Sequence, residues 1–558
     1  MTEPPAMRWW GWGDPARPPV LSKAALRLLR EHVTLSPRPR PPVSLDAVVL
    51  PELALPEDLL GRLRDLLGAE GLRVDHPERV RHAAGRGYLD LVGLRAGAPP
   101  AAPDAIALPT DHRQLRALLE LAARESIAVI PFGGGTSVVG GVSPLRANHR
   151  AAISLDTRRL SAIHRLDAES RIVTVGAGIR APALEGHLRA AGLTLGHHPQ
   201  SYEYVSLGGC VATRSSGQAS SGNGSIAKML LGLSLAAPAG DIDLPPVPAT
   251  AAGPGLRELL TGSEGALGVI HELSLRVRAA PAERICEGVL FESFQQGLRA
   301  LRALAQEHAM PEVARLSDPS ETWLSLSLAD ASSHNLSARL RQRLGRAYMG
   351  LRGFGENASE RCLAILGFEG STEELHTRRA RARKLLRDHA PLFLGRSPGE
   401  AWLRSRFQAP YMRDDLLTHG VLVETLETAT TWSNLPTVHR AVTRAIADAL
   451  AAQATPGIVM CHVSHLYETG ASLYFTHIAP QREGAEAEQW LAVKRAATEA
   501  ILEHSATLTH HHAVGLDHAP WLQREIGPTA LSALQALKAD LDPAAVMNPG
   551  KLLLSARG

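Results

Sequence analysis

Cysteine is scarce: 558 residues contain four, Cys210, Cys286, Cys362 and Cys461. They lie far apart and form no C-x-x-C pair, which argues against a disulfide framework or a zinc ribbon and for a reducing compartment. Aromatic residues make up only 4% of the chain. No apolar run reaches the roughly 18 residues needed to span a bilayer. Neither charge sign dominates. The formal net charge is +3, so nothing argues for nucleic acid as a partner. The amino terminus has no apolar signal-peptide core and the carboxyl terminus no S-K-L-type address, so a cytoplasmic protein is expected. Among the few aromatics, Trp9, Trp10 and Trp12 cluster. They are candidates for peripheral contact with a membrane surface; the alternative is an aromatic arm packed on the body.

The length exceeds what one hydrophobic core usually serves, and an apolar share of 45% is ordinary for a globular protein. Residues 1–100 read as a helical extension. Ser22–Leu35 has helical spacing, the proline-rich stretch at residues 38–42 excludes helix, and Asp46–Leu72 reads as one or two short helices. Residues 101–280 mix strands and helices. Asp111–Glu125 repeats apolar residues every 3.6 positions behind the capping oxygens of Thr110 and Asp111. Ile127–Pro131, Ala152–Leu155 and Ile172–Val175 read as strands, Ala181–Ala191 as a helix and Gly240–Gly255 as a loop. Residues 281–485 combine helices with strand-like runs such as Leu363–Glu369, Gly457–Val463 and Leu473–Ile478, a sheet covered by helices. Residues 486–558 read as a largely helical segment. The expected fold class is α+β, with two lobes behind a helical extension.

Glycine is where chemistry first shows. Pro131-Phe132-Gly133-Gly134-Gly135-Thr136-Ser137-Val138-Val139-Gly140-Gly141 directly follows a predicted strand. Consecutive glycines permit positive φ and close backbone approach, and their N–H groups make a nest for an anion such as a pyrophosphate. The P-loop pattern is absent and a dinucleotide G-x-G-x-x-G fits only loosely. Three further segments follow: Pro199-Gln200-Ser201; Ser206-Leu207-Gly208-Gly209-Cys210-Val211-Ala212-Thr213 with Ser215-Ser216-Gly217; and Gly262-Ser263-Glu264-Gly265-Ala266-Leu267-Gly268-Val269-Ile270. In this order the four segments resemble the FAD domain of the vanillyl-alcohol-oxidase and p-cresol-methylhydroxylase superfamily. The resemblance implies that the first loop holds the FAD pyrophosphate and that the later segments line the flavin and adenosine. It makes Pro131, Gly133, Gly134, Gly135, Thr136, Ser137, Gly140, Pro199, Ser201, Ser206, Gly208, Gly209, Thr213, Ser216, Gly217, Glu264, Gly265, Gly268, Val269 and Ile270 the cofactor-binding candidates. Many relatives attach FAD through a histidine in or near the first loop. Gly135-Thr136-Ser137 stands there instead, so non-covalent FAD is expected.

Three segments outside that region carry reactive side chains. Ser464-His465-Leu466-Tyr467-Glu468-Thr469-Gly470-Ala471-Ser472-Leu473-Tyr474-Phe475 is one, Thr509-His510-His511-His512-Ala513-Val514-Gly515 another, and Pro410-Tyr411-Met412-Arg413-Asp414 the third. Imidazoles titrate near neutrality, and neighbours along a chain point different ways, so at most two of the three histidines face one pocket. A phenol, with its ordinary pKa of about 10, acts as a base only beside a positive charge. Tandem histidines are poorly spaced for a single ion, and no metal is expected. The bland readings are a core aromatic for Tyr474 and an inter-lobe ion pair for Arg413.

These segments resemble the alkyl-dihydroxyacetone-phosphate synthases, a family of ether-lipid enzymes. The resemblance also covers Arg315-Leu316-Ser317-Asp318 and the lead-in Arg86-Gly87-Tyr88-Leu89-Asp90-Leu91. It implies Tyr474, His511, His512 and Arg413 as catalytic residues, and Arg315, Arg413 and His510 as substrate-binding ones. The implied reaction exchanges the acyl chain of acyl-dihydroxyacetone phosphate for a long-chain fatty alcohol, and the superfamily makes a homodimer plausible. Two features depart from the pattern. Gln200 stands where the synthases commonly have Asp, and Asp542–Lys551 looks like the tail of FAD-linked 2-hydroxy-acid dehydrogenases. Such a dehydrogenase is the alternative, although its G-E-H-G-I-G and H-V-G-D-G-N-x-H segments have no clear match.

Overall fold

The computed structural model describes residues 6–331 and 360–553. The helix predicted at Asp111–Glu125 spans His112–Glu125. The Asp111 carboxylate caps it, accepting the Gln114 N–H at 2.8 Å. Leu115, Leu118, Leu119 and Ala122 of this helix pack on the parallel strands Ile127–Phe132 and Ala151–Asp156. These strands belong to a four-stranded sheet. They are apolar along nearly their whole length because parallel strands are covered on both faces. The glycine loop leaves the carboxyl end of Ile127–Phe132, where ligands of α/β sheets gather.

A five-stranded antiparallel sheet completes this lobe, ordered Ile163–Asp167, Ile172–Gly176, Val269–Arg276, Leu230–Ala237 and Gly240–Leu244. The last strand lies in a stretch expected to be loop. Its Gly240, Asp241 and Asp243 have poor strand propensity, but pairing with Leu230–Ala237 overrides it and the two aspartates point outward.

The second lobe is built on a seven-stranded antiparallel sheet. Its functional half is formed by Val421–Thr431, Gly470–Pro480 and Ile458–Leu466, with Val313–Ser317 alongside. The period of two divides the residues. Leu426, Phe475 and Cys461 share one rung and face a core shared with Val442, Val493 and other residues of the helices Leu435–Ala452 and Glu486–Glu503. The alternate rungs, including Glu427, Tyr474 and His462, face the opposite way.

Residues 6–100 do not form a separate helical unit. Leu59, Leu60, Leu63 and Leu67 of the helix Glu57–Leu67 belong to the core of the first lobe. Leu29, Val33 and Leu35 pack with Leu416 and Val421 of the second. The tryptophan cluster is an arm on the body: Trp12 is buried beside Tyr204 and Tyr411, and Trp9 packs near Val48 and Val80. The chain end likewise returns to the first lobe, since Val129 N–H donates to Val546 O and Asn548 N–H to Val129 O. Among the described residues no helix is long and apolar enough to cross a membrane.

Candidate active site

The glycine loop and the alternate rungs of the seven-stranded sheet wall one cavity of about 520 Å³. Among the described residues, the N–H groups of Gly134, Gly135, Thr136 and Ser137 donate to no protein group. The loop needs glycine on steric grounds. A Cβ at Gly134 would lie 2.4 Å from Tyr204 O, and Gly135 has φ +64°. Of the twenty cofactor candidates, all but two line the cavity. Ser206 instead caps the helix Leu207–Ala212, its hydroxyl accepting the Gly209 N–H at 3.2 Å. Gly140 sits under the Leu516 side chain with φ +69°. Both support the site from behind. The free amides and the glycine-lined wall suit the diphosphate and flat ring of a flavin dinucleotide.

Glu264 lines the cavity, yet its carboxylate is engaged elsewhere. It accepts the N–H groups of Val514 and Gly515 at 2.8 and 2.7 Å and so ties the flavin-side wall to the histidine segment. Burial pushes this carboxyl up to about 7, against the two amide donors that lower it.

Tyr474 occupies the centre of a three-strand rung, flanked by Glu427 on one side and His462 on the other. Its ring stacks on His462 at 5.0 Å and on His511 at 6.1 Å, and meets His512 edge-on at 5.5 Å. Burial pushes the phenol up to about 12, with Thr425 drawing it partly back. Tyr474 is therefore a protonated phenol at rest, a proton donor first. Glu427 adds to this rise and Arg315 opposes it. Burial also pushes His512 down to about 3, so its ring is neutral at pH 7.

Glu427, which sequence reasoning did not single out, fixes the histidines. Its buried carboxylate accepts the N–H groups of His510, His511 and His512 at 2.7, 2.8 and 2.8 Å, and the Thr509 hydroxyl at 2.8 Å. Desolvation raises its pKa, but the interactions with His511, His512 and His510 hold it well below the usual carboxylate range. Anchoring three successive amides turns successive side chains different ways. His511 and His512 reach the cavity wall and His510 does not. His510, expected to touch substrate, stands behind His511. Its Nδ1 lies 2.8 Å from His511 Nδ1 and its Nε2 meets the Tyr467 hydroxyl. His465, His510 and His511 bring ring nitrogens within 4.8 Å of one another. Two of those rings are already bonded to each other.

Arg315 and Arg413 both line the cavity. Arg315 pairs with Glu321, which also meets His462 Nδ1 at 3.0 Å. Desolvation opposes ionisation of Glu321, but Arg315 and His462 hold it down to about 2. Arg413 Nη1 donates to Arg86 O at 2.7 Å, and its Nη2 lies 3.3 Å from Asp414. Glu321, His462 and Glu427 thus join the expected residues. The signal for Glu427 was a glutamate at an alternate position of a strand-like run, and for His462 its two-residue spacing from Ser464. Glu321 carried none.

The chain matches an FAD binding domain over residues 103–243 and the C-terminal domain of FAD linked oxidases over residues 280–552. It is 31% identical to an alkyldihydroxyacetonephosphate synthase of Trypanosoma brucei brucei, over 98% of this chain and 92% of that protein. A solved alkyldihydroxyacetonephosphate synthase structure superposes with a TM-score of 0.83 at 29% identity, covering 98% of this chain and 99% of that one. A more distant relative is a probable mitochondrial D-lactate dehydrogenase of Danio rerio, 24% identical over 89% of this chain and 92% of that protein. The structure of p-cresol methylhydroxylase, at 13% identity, a TM-score of 0.64 and coverage of 89% of this chain and 96% of that one, shares the fold. The chain belongs to the alkyldihydroxyacetonephosphate synthase family of FAD-dependent enzymes.

Proposed function

We propose that the enzyme replaces the acyl chain of a 1-acyl-dihydroxyacetone phosphate by a long-chain alcohol, giving the alkyl ether and a free fatty acid, with FAD held non-covalently. One arrangement carries this reading. The Tyr474 phenol, the His511 and His512 rings and the Arg413 guanidinium share a cavity with a glycine loop in which, among the described residues, the N–H groups of Gly134, Gly135, Thr136 and Ser137 donate to no protein group. Bound FAD supplies an electron sink for the substrate carbon. No histidine or cysteine occurs between Pro131 and Gly141, which favours non-covalent attachment.

The proton work falls to the side chains. In the exchange, the carbon–oxygen bond to the acyl group breaks and the carboxylate leaves with the electron pair. The alcohol oxygen forms the new bond and gives up its proton, so no electrons are gained or lost overall. His511 accepts that proton, with His512 beside it at 5.0 Å. Tyr474 keeps its proton and donates a hydrogen bond to the departing carboxylate. Arg413 offers a cation to the substrate phosphate. Leu324, Leu416, Val423, Met460 and Ile478 add an apolar wall suited to the aliphatic chains. Four free, buried cysteines agree with a reducing compartment such as the cytoplasm. Purified enzyme given 1-palmitoyl-dihydroxyacetone phosphate and isotope-labelled hexadecanol is expected to yield labelled ether lipid. Absence of labelled ether with flavin bound would refute the reading.

A further inference from the structure

The aromatic arm at the amino terminus ends inside the protein. Trp12 is 3% exposed, its ring edge-on to Tyr204 at 5.7 Å, and its backbone N–H donates to Asp414 Oδ2. Two glycines allow that approach. A Cβ at Gly11 would lie 2.3 Å from the Asp414 carboxylate, and one at Gly13, with φ +80°, 2.2 Å from the Tyr411 ring. The other oxygen of Asp414 faces Arg413, and Arg413 donates to Arg86 O. Arg86 is also 3% exposed. Its Nη2 donates to Arg8 O at 3.0 Å, its Nη1 to Gly85 O at 2.7 Å, and its backbone N–H to Ser137 O at 2.6 Å. The arm, Arg86, Arg413 and the glycine loop are therefore one connected network.

Two donors in this network are buried and have no partner among the described residues: Trp12 Nε1 and Arg86 Nε. Both residues line the cavity together with Thr136, Ser137 and Val138. Buried donors are nearly always paired, and a cationic one is the costliest to leave bare. An acceptor carried by a ligand answers both, and an anionic oxygen answers the guanidinium best. The structure assigns Trp12 Nε1 and Arg86 Nε to a phosphate-oxygen subsite that the aromatic arm closes beside the glycine loop. The assignment rests on the reading above, in which the diphosphate of FAD and the phosphate of the acyl substrate both enter this cavity. The arm does a second thing: through Asp414 it holds Arg413, so the subsite and the orientation of Arg413 are set together.

Trp12→Phe keeps the ring against Tyr204 and removes the indole donor. Arg86→Lys keeps the charge and removes Nε together with the Nη donors to Arg8 O and Gly85 O, so agreement with Trp12→Phe is what points to the shared subsite. Trp10→Phe, on the same arm, is the packing control. Two constants are measured on each full-length protein. One is the dissociation constant of FAD from the apoprotein, by flavin fluorescence quenching. The other is that of dihydroxyacetone phosphate from the holoprotein, by flavin difference spectra. Both Trp12→Phe and Arg86→Lys are expected to weaken the same constant by about tenfold, the loss of a charge-assisted bond, while Trp10→Phe leaves both unchanged. A loss confined to FAD identifies the diphosphate as the source, and one confined to dihydroxyacetone phosphate identifies the substrate. Both constants within about twofold of wild type in Trp12→Phe and Arg86→Lys, or an equal loss in Trp10→Phe, would overturn the assignment. Neither titration needs turnover. A wild-type enzyme that makes no ether defeats the exchange reading and leaves these titrations to decide the subsite.

Discussion

Replacing Glu427 by glutamine tests the bracket beneath the histidines with almost no change of shape. In the native carboxylate, Oε1 takes the Thr509 hydroxyl and the N–H groups of His511 and His512, while Oε2 takes the His510 N–H at 2.7 Å. An amide oxygen can keep the first three. The amide nitrogen would then meet the His510 N–H, donor against donor. One charge-assisted bond worth about 1.5–3 kcal/mol is lost, and a buried donor left unpaired adds about 1–3 kcal/mol, so about 2.5–6 kcal/mol is expected in total. Against the roughly 5–15 kcal/mol of a typical domain, that is severe. The pH dependence has a definite sign. Glu427 is held well below its ordinary 4.5. Its contribution is therefore present above about 4.5 and lost as the pH falls through the lower folded value. Denaturant unfolding of Glu427→Gln and wild type at neutral and acid pH is the assay, with turnover alongside. The gap is expected to be full at pH 7 and to shrink on acidification, and kcat is expected to fall more than KM rises as His511 and His512 lose their register. Stability within about 0.5 kcal/mol of wild type, the range of a neutral surface change, with normal turnover, would refute the bracket.

Other perturbations have separate readouts. Tyr474→Phe should lower kcat by about 100-fold or more, the usual worth of a positioned proton donor, with bound FAD unchanged by absorbance. Glu321→Gln leaves Arg315 without its counter-charge; it should cost about 1–3 kcal/mol in denaturant unfolding, the worth of a partly buried pair, and raise the KM for acyl-dihydroxyacetone phosphate. For Glu264 the sign is opposite to that of Glu427. Its folded pKa is raised from 4.5 to about 7, so stability is highest below about 4.5 and is lost as the pH rises to about 7. Wild type should lose ground to Glu264→Gln over that interval, and parallel stability curves would contradict it.

Much of the flavin side was legible because its requirements are local. Gly134 and Gly135 are glycines for reasons of backbone space, and a run of such residues after a strand announces itself. The strands around Tyr474 were legible too, and their period of two places Tyr474 and His462 on one face. Glu427 was not, since a glutamate in a strand reads as solvent-facing until three backbone amides from a segment over eighty residues away are seen to converge on it. Glu321 escaped for the same reason, being defined by Arg315 and His462 from other elements. His510 was misplaced because sequence adjacency cannot say which two of three imidazoles share a wall. The strand at Gly240–Leu244 was lost to local propensity that pairing with Leu230–Ala237 overrides. The helical extension was read from its elements rather than its contacts, which hid that Trp12 closes on Asp414.

The central claim is that the reaction exchanges chains without net oxidation. The most direct test is anaerobic incubation of the holoenzyme with 1-palmitoyl-dihydroxyacetone phosphate and hexadecanol, following flavin absorbance and both lipid products. The account predicts one palmitate released for each ether formed, no requirement for an electron acceptor, and a flavin that is oxidised when turnover ends. No ether, together with bleaching of the flavin by 2-hydroxy acids, would contradict it and place the chemistry of Tyr474 and His511 with the dehydrogenases.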